Sequence, residues 1–216
     1  HIHLQPIRTA ITIKEGGTGY GVYVGGGTVV MDGVWIEGVS EGVEVMGSGR
    51  LVMNMGKIEF TSGEGNYGVK VGETADATLM GTEIRGTGMG YGVYISGGAV
   101  MLSGLNISKV EKGVEVTNGR LKMNMGSITV KSGAGNGNYG VGVWVSGMAT
   151  AHLTDVMIEG TDGTGKGTGV VMEGGTVVMD GVKISKVGVG VEVMGSGGLV
   201  MKGGRLSLRV GAVGMG

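Results

Sequence analysis

Apolar residues alternate with polar residues or glycine in short runs along almost the whole chain. In Gly21-Val-Tyr-Val24 and Gly42-Val-Glu-Val45, for example, single polar positions separate the valines. Period-2 alternation sends successive side chains to opposite faces of a strand, so each run predicts a short β-strand with one buried face. A period of 3.6 fits none of these runs, which excludes a helical bundle.

The runs belong to an internal repeat. Three alternating runs make one unit, and a longer repeat that begins at Tyr20 returns at Tyr91 and at Thr168. Self-similarity at this period is typical of solenoids, in which each unit forms one turn. The sequence therefore predicts an all-β fold, a right-handed single-stranded parallel β-helix with three sides and about eight coils, as one domain over residues 1–216. The units open with Gly-Val dipeptides, spaced 21 to 29 residues apart, at Gly21, Gly42, Gly68, Gly92, Gly113, Gly140, Gly169 and Gly190.

The phase of the alternation predicts which side chains face inward. Equivalent residues of successive coils should stack into three interior ladders, one of Val, one of Met and Leu, and one of Ile and Leu. The first run of unit six is ambiguous, because Val141, Val143 and Val145 all fit. In the second ladder we expect one column of almost fully buried methionines at Met53, Met123, Met179 and Met201.

Composition agrees with this fold and excludes several classes. Glycine accounts for 52 residues without a Gly-X-Y period, and there is one Pro, so the chain is not collagen. Hydrophobic residues make up 41% and charged residues 16%, which is enough apolar surface for a core. A net charge of −1 gives no case for nucleic acid, and no stretch is apolar for long enough to insert into a membrane. The absence of Cys excludes disulfides.

Both ends look like incomplete coils. The run Ile11–Ile13 resembles the third run of a unit whose earlier part is missing, and Leu206–Leu208 is followed by the start of another loop. Solenoids need capped ends, and neither end carries a convincing cap. We therefore expect the chain to be a fragment of a longer protein.

The sequence offers little catalytic chemistry. Metal-protease and phosphate-loop motifs are absent, and His152 falls on the outward side of a run. Asp32 and Asp180 are repeat equivalents that each precede Gly, as in a turn, and they lie in units one and seven. We expect no catalytic residue, no metal and no cofactor, although polysaccharide lyases on parallel β-helices, which use clustered acids, make a lyase a distant alternative.

Nearly all aromatic residues are predicted to lie outside the core. Outward positions hold Tyr23, Tyr94 and Trp144 in first runs and Trp35 in a third run. Protein interfaces favour Tyr and Trp, so these residues are candidates for receptor binding. Four further tyrosines precede the Gly-Val openings, where they could stack and lock a corner or add to a binding surface: Tyr20, Tyr67, Tyr91 and Tyr139.

A basic cluster is predicted in the last two units. It could bind an acidic receptor surface or a sulfated glycan, or it could protect a strand edge from aggregation. Together with the outward aromatics it completes the receptor-binding candidates. The cluster consists of Lys183, Lys186, Lys202, Arg205 and Arg209.

Runs such as Gly42-Val-Glu-Val-Met-Gly-Ser-Gly-Arg-Leu-Val-Met-Asn and Gly190-Val-Glu-Val-Met-Gly-Ser-Gly-Gly-Leu-Val-Met-Lys resemble the passenger domains of Bartonella autotransporters. The angiogenic-factor group is the most similar, and the likeness covers the whole chain at the level of the repeat. It implies a type V secretion substrate whose signal peptide and C-terminal translocator barrel lie outside this fragment. It also implies a virulence factor, secreted or held at the bacterial cell surface, that activates the vascular endothelial growth factor receptor.

Two functions follow from these observations. The first is a secreted, pro-angiogenic ligand that binds and activates a host endothelial receptor. The second is a surface adhesin or structural stalk that binds host matrix or glycan without signalling. The family supplies no motif that assigns contact residues, so the candidates rest on their outward positions alone.

Overall fold

The computed structural model describes residues 12–14, 19–61, 63–130, 140–161 and 166–207. All the regular secondary structure in these residues is β-strand. The strands, in chain order, are β1 (Thr12–Lys14), β2 (Tyr20–Val24), β3 (Thr28–Asp32), β4 (Trp35–Val39), β5 (Glu41–Val45), β6 (Arg50–Asn54), β7 (Lys57–Phe60), β8 (Tyr67–Val71), β9 (Asp76–Met80), β10 (Glu83–Arg85), β11 (Tyr91–Ile95), β12 (Ala99–Val110), β13 (Lys112–Val116), β14 (Arg120–Val130), β15 (Val141–Val145), β16 (Thr150–Thr154), β17 (Met157–Gly160), β18 (Thr168–Met172), β19 (Thr176–Asp180), β20 (Lys183–Ser185), β21 (Val189–Val193), β22 (Gly198–Lys202) and β23 (Arg205–Ser207).

These strands stack as a three-sided parallel β-solenoid, as the sequence predicts. The first strands of the coils form an eight-stranded sheet in the order β2-β5-β8-β11-β13-β15-β18-β21. The second and third strands join in one 15-stranded sheet, because β12 and β14 run through the corner between the two sides. We call the three sides the first, second and third sheets. The described residues form eight coils, and β1 adds a third-sheet strand beneath β4.

The interior ladders form as predicted. Val43, Val69 and Val93 are in register on neighbouring coils and fully buried. In the second sheet, Met53 and Met123 are fully buried and Met179 is 2% exposed. Thr82 is a buried polar residue before β10, and its hydroxyl donates to the carbonyl of Met80 at 3.3 Å. In unit six the inward pair is Val143 and Val145, while Val141 aligns with Lys112.

The expectation for Met201 is wrong. Met201 pairs in register with Met179, as the repeat requires, yet it is 44% exposed. The cause is its place in the stack: β22 pairs with β19 on one side, and no described strand covers its other side. Val193 and Leu206 of the same coil are exposed for the same reason.

In the first seven coils, a glycine that precedes an inward valine of the first strand faces the isoleucine ladder of the third sheet. A Cβ added at Gly92 or Gly113 would overlap Cγ2 of Ile107 or Ile128. The first and third sheets therefore approach too closely for any side chain at this position. In unit six this glycine is Gly142, because Val143 aligns with Val114, so the opening expected at Gly140 is wrong by two residues.

Every described coil turns from its second to its third strand through one residue with positive φ, or through two in the coils of Met125–Gly126 and Gly203–Gly204. The first such residue is a glycine in five of the eight coils, and in the others it is Met55, Met125 or Asp155, with φ between 50° and 57°. A left-handed backbone costs a residue with a Cβ roughly 1–2 kcal/mol, whereas glycine adopts it freely. The corner geometry is thus common to all coils, and three of them adopt it with strain.

Met125→Gly is expected to stabilise the fold by about 0.5–1 kcal/mol. Glycine removes the strain of the left-handed backbone, and this gain exceeds the free-energy cost of the extra entropy that glycine loses on folding. Little packing is lost, because the Met125 side chain is 57% exposed. Urea unfolding measures the difference. Met101→Gly is the control, since Met101 is also exposed but has no positive φ in the second-sheet part of β12, where glycine should destabilise. Equal destabilisation by both changes would contradict this account of the corner.

Candidate functional site

The outer surface of the first sheet carries two adjacent columns of aromatic and charged side chains, which we call the aromatic face. Strand register places the predicted outward residues in one column, as expected, and the corner tyrosines lie in the neighbouring column. The first column is Tyr23, Glu44, Lys70, Tyr94, Glu115, Trp144, Val171 and Glu192; the second is Tyr20, Glu41, Tyr67, Tyr91, Lys112, Val141, Thr168 and Val189.

Lys112 organises the upper part of the aromatic face, which is formed by coils four to six. Its ammonium lies 4.1 Å from the ring centroid of Trp144 and 5.4 Å from that of Tyr91, and it pairs with Glu115 at 2.6 Å. Tyr94 packs against Tyr91 with 5.3 Å between ring centroids. A cation over an aromatic ring is attracted by the negative face of the ring, so these contacts fix the half-buried rings in place.

A hydrogen bond also fixes the indole ring of Trp144. Its indole Nε1 donates to the Glu173 carboxylate at 3.2 Å, across one coil boundary. The ring therefore has a defined orientation, with one face under Lys112 and its N–H directed to Glu173.

A buried carboxylate organises the lower part of the aromatic face. Glu44 is 5% exposed and pairs with Lys70 at 2.8 Å. This hydrogen bond raises the pKa of Lys70, and a hydrogen bond to Glu44 raises the pKa of Tyr20. The Lys70 ammonium also lies 5.4 Å from the Tyr67 ring, and burial, reinforced by Glu44, raises the pKa of Tyr67. Both phenols thus stay protonated at neutral pH.

Among the described corner tyrosines, Tyr20, Tyr67 and Tyr91, no ring contact forms the stack that the sequence allowed. The ring contacts join Tyr20 to Tyr23 and Tyr91 to Tyr94, across the two columns within single strands. Tyr23 is 58% exposed, the most open aromatic ring of the face. Tyr139 lies outside the described residues.

The remaining candidates lie on the third sheet and its margins. One outward column runs from Trp35 through Lys57 and Met157 to Lys183 and Arg205. The Lys57 ammonium lies 5.7 Å from the Trp35 ring, and Lys183 and Arg205 are neighbours in register. Trp35 and Lys183 are six coils apart, or roughly 29 Å at about 4.8 Å per coil.

The predicted basic cluster is therefore divided. Lys183 and Arg205 share the third sheet, Lys186 forms an ion pair with Glu159, and Lys202 ends β22 beside Asp180 of β19. Arg209 lies outside the described residues, as does Leu208. The structure brings Tyr23, Tyr94 and Trp144 together on one face and leaves Trp35 and the basic residues elsewhere.

The residues weighed for chemistry stand apart from one another. Asp32 and Asp180 each end a second strand, and the glycine that follows each has positive φ, as the turn assignment predicts. His152 is exposed on the outer side of β16. In the part of the chain that the structure describes, no group of three or more His, Cys, Asp and Glu is placed to hold a metal ion.

Sequence reasoning missed a groove on the outer surface of the second sheet. It has a volume of about 490 Å³ and is lined by Arg50, Asp76, Arg120, Lys122 and His152 above a floor of small and aliphatic residues. The alternation of the sequence indicates that these five charged and polar residues point outward. That they line one groove depends on the stacking of four different coils.

The fold defines the chain as a three-sided parallel β-helix whose interior is filled by side-chain ladders and whose possible binding sites lie on its outer faces. No family model, no curated protein and no solved structure matches the chain. No helix in the described ranges is long and apolar enough to cross a membrane.

Proposed function

We propose that this chain is the passenger segment of a bacterial autotransporter, secreted or displayed at the cell surface, and that it acts as a virulence factor. In this proposal it binds and activates a host endothelial receptor of the vascular endothelial growth factor type. With no matching relative, the proposal rests on the likeness of the repeat runs to angiogenic passengers and on the aromatic face. The aromatic face is the observation that carries it.

The aromatic face has the features of a protein-binding surface. Binding energy concentrates in a few Tyr, Trp and Arg anchors, and Tyr23, Tyr94 and Trp144 occupy one column of a regular sheet. Because Lys112, Glu115 and the neighbouring tyrosine already fix the upper rings, binding would order few side chains. A preorganised surface loses less conformational entropy on association.

Replacing Tyr23 and Tyr94 together with alanine is expected to weaken binding to the receptor ectodomain by roughly a thousandfold, since two anchor residues that contribute about 2 kcal/mol or more each are removed. Surface plasmon resonance measures affinity, and receptor phosphorylation on endothelial cells measures activation. Thr78→Ala with Val178→Ala, at outward positions of the second sheet, is the control and should change neither. Unchanged affinity in the tyrosine variant would contradict binding through the aromatic face.

The same assay separates the two functions. Receptor phosphorylation by the purified chain supports the ligand function, whereas binding to cells without phosphorylation supports the adhesin function.

Lys183→Glu with Arg205→Glu should slow association with an acidic receptor domain, as measured by surface plasmon resonance, because exposed charges mainly steer the encounter. The melting temperature should stay nearly unchanged. Association rates that do not change across a range of salt would assign these residues to protection of the strand edge.

A further inference from the structure

The groove on the second sheet is shaped by one small residue in a column of longer ones. Register places Arg50, Asp76, Ala99 and Arg120 on successive coils, all pointing outward. Ala99 leaves a depression between the longer side chains, and Arg50 and Arg120 stand three coils apart, roughly 14 Å, on either side of it. The groove therefore runs along the solenoid axis rather than into the core.

The groove is cationic, and its cations are free to bind. It holds Arg50, Arg120 and Lys122 against the single carboxylate of Asp76, and His152 lies next to Lys122 in register. None of these three cations forms an ion pair with any residue in the described ranges. On the aromatic face, by contrast, Lys70 and Lys112 each have a carboxylate partner.

The side chains around the groove narrow the class of ligand. The outward positions of β3, β6, β9, β16, β19 and β22, and of the second-sheet parts of β12 and β14, hold no Tyr, Trp or Phe. Single-stranded nucleic acid is bound through stacking of its bases on aromatic rings, and protein interfaces combine Arg anchors with Tyr and Trp anchors, of which this groove has only Arg. An extended chain that carries regularly spaced anionic groups, with neither bases nor large apolar side chains, suits this groove best.

We propose that this groove binds an anionic polysaccharide. Arg120 and Lys122 hold its sulfate or carboxylate groups, Arg50 contacts the chain farther along the axis, and the floor formed by Ala99 and Met101 packs against the sugar rings. The site is separate from the aromatic face and can be tested without a receptor, so its failure and that of the proposed function are distinguishable.

The test uses the whole chain and a heparin oligosaccharide in isothermal titration calorimetry. Arg120→Ala with Lys122→Ala is expected to weaken binding by about a hundredfold or more, because hydrogen bonds to charged groups contribute about 1.5–3 kcal/mol each. The dependence of log K on log salt should become shallower by roughly two charges. The matched control, Arg85→Ala with Lys109→Ala, removes the same charge from β10 and from the third-sheet end of β12, and it should change affinity by less than about threefold because neither residue lines the groove.

Four further probes complete the test. A desulfated heparin oligosaccharide and oligogalacturonate test whether the groove recognises sulfate or carboxylate groups. Binding of either one supports the proposal if the Arg120→Ala, Lys122→Ala variant weakens it. Tighter binding of a single-stranded oligonucleotide or of polyglutamate would overturn the assignment to polysaccharide. Equal loss of heparin binding in the control pair would overturn the placement in this groove. Both variants replace side chains outside the core, and circular dichroism checks that they remain folded.

Discussion

Replacing Met179 with aspartate is expected to destabilise the protein by about 4–5 kcal/mol. The side chain is 2% exposed within the Met and Leu ladder, between Leu153 and Met201 in register. An aspartate there would be buried without a partner, and burying an unpaired charge is among the most costly single changes known in proteins. Thermal melting and hydrogen exchange of the amides of β18 to β20 measure the effect.

Met201→Asp is the matched control for this substitution. It introduces the same residue at the next position of the same column, but Met201 is 44% exposed, so the carboxylate keeps much of its hydration. We expect a cost below about 1 kcal/mol. If both variants melt alike, the phase assigned to the second ladder is wrong.

Gly92→Ala is expected to destabilise the protein by about 2–3 kcal/mol, which is the range of overpacked cores. The added methyl group would overlap Cγ2 of Ile107 and would lie 2.5 Å from the carbonyl oxygen of Gly113. The Ile side chain is branched and fully enclosed, and the carbonyl belongs to the next coil, so neither can move without disturbing the stack. Urea unfolding measures the loss.

A second glycine variant separates this steric effect from the general effect of Gly-to-Ala substitution. Gly26 lies at the corner after β2, and the nearest atom to an added Cβ is Oγ of Ser48 at 3.8 Å. Gly26→Ala should therefore change stability by less than about 0.5 kcal/mol. A loss in Gly26→Ala as large as that in Gly92→Ala would contradict the close contact between the first and third sheets.

The predicted coils agree with the structure because alternation is a local property of each strand. Val43 and Val45 face inward since the alternate positions of the strand, Gly42 and Glu44, offer no apolar face, and this holds whichever coil lies above. The corner glycines could be placed for a similar reason, because tight turns with positive φ favour glycine.

The sequence pattern predicts the register between neighbouring coils less directly. A shift of two residues keeps every inward side chain inward, so Gly140 and Gly142 are equally good openings for unit six by periodicity. Contacts between coils decide, since only Gly142 brings a residue without a side chain against Ile158. Exposure at the end of the stack is likewise invisible to periodicity, which is why Met201 was expected to be buried.

The candidate surfaces depend on tertiary structure still more strongly. The sequence by itself determined that Tyr94, Trp144, Arg120 and Lys122 point outward, because each occupies the opposite phase to a buried neighbour. Only the stacking of coils decided that Lys112 would lie over Trp144, 32 residues along the chain, or that Arg50 and Arg120 would line one groove. The physical reason is that a side chain's face is set by its own strand, within a few residues. Its neighbours on that face come from other coils, and their register is set by packing along the whole solenoid.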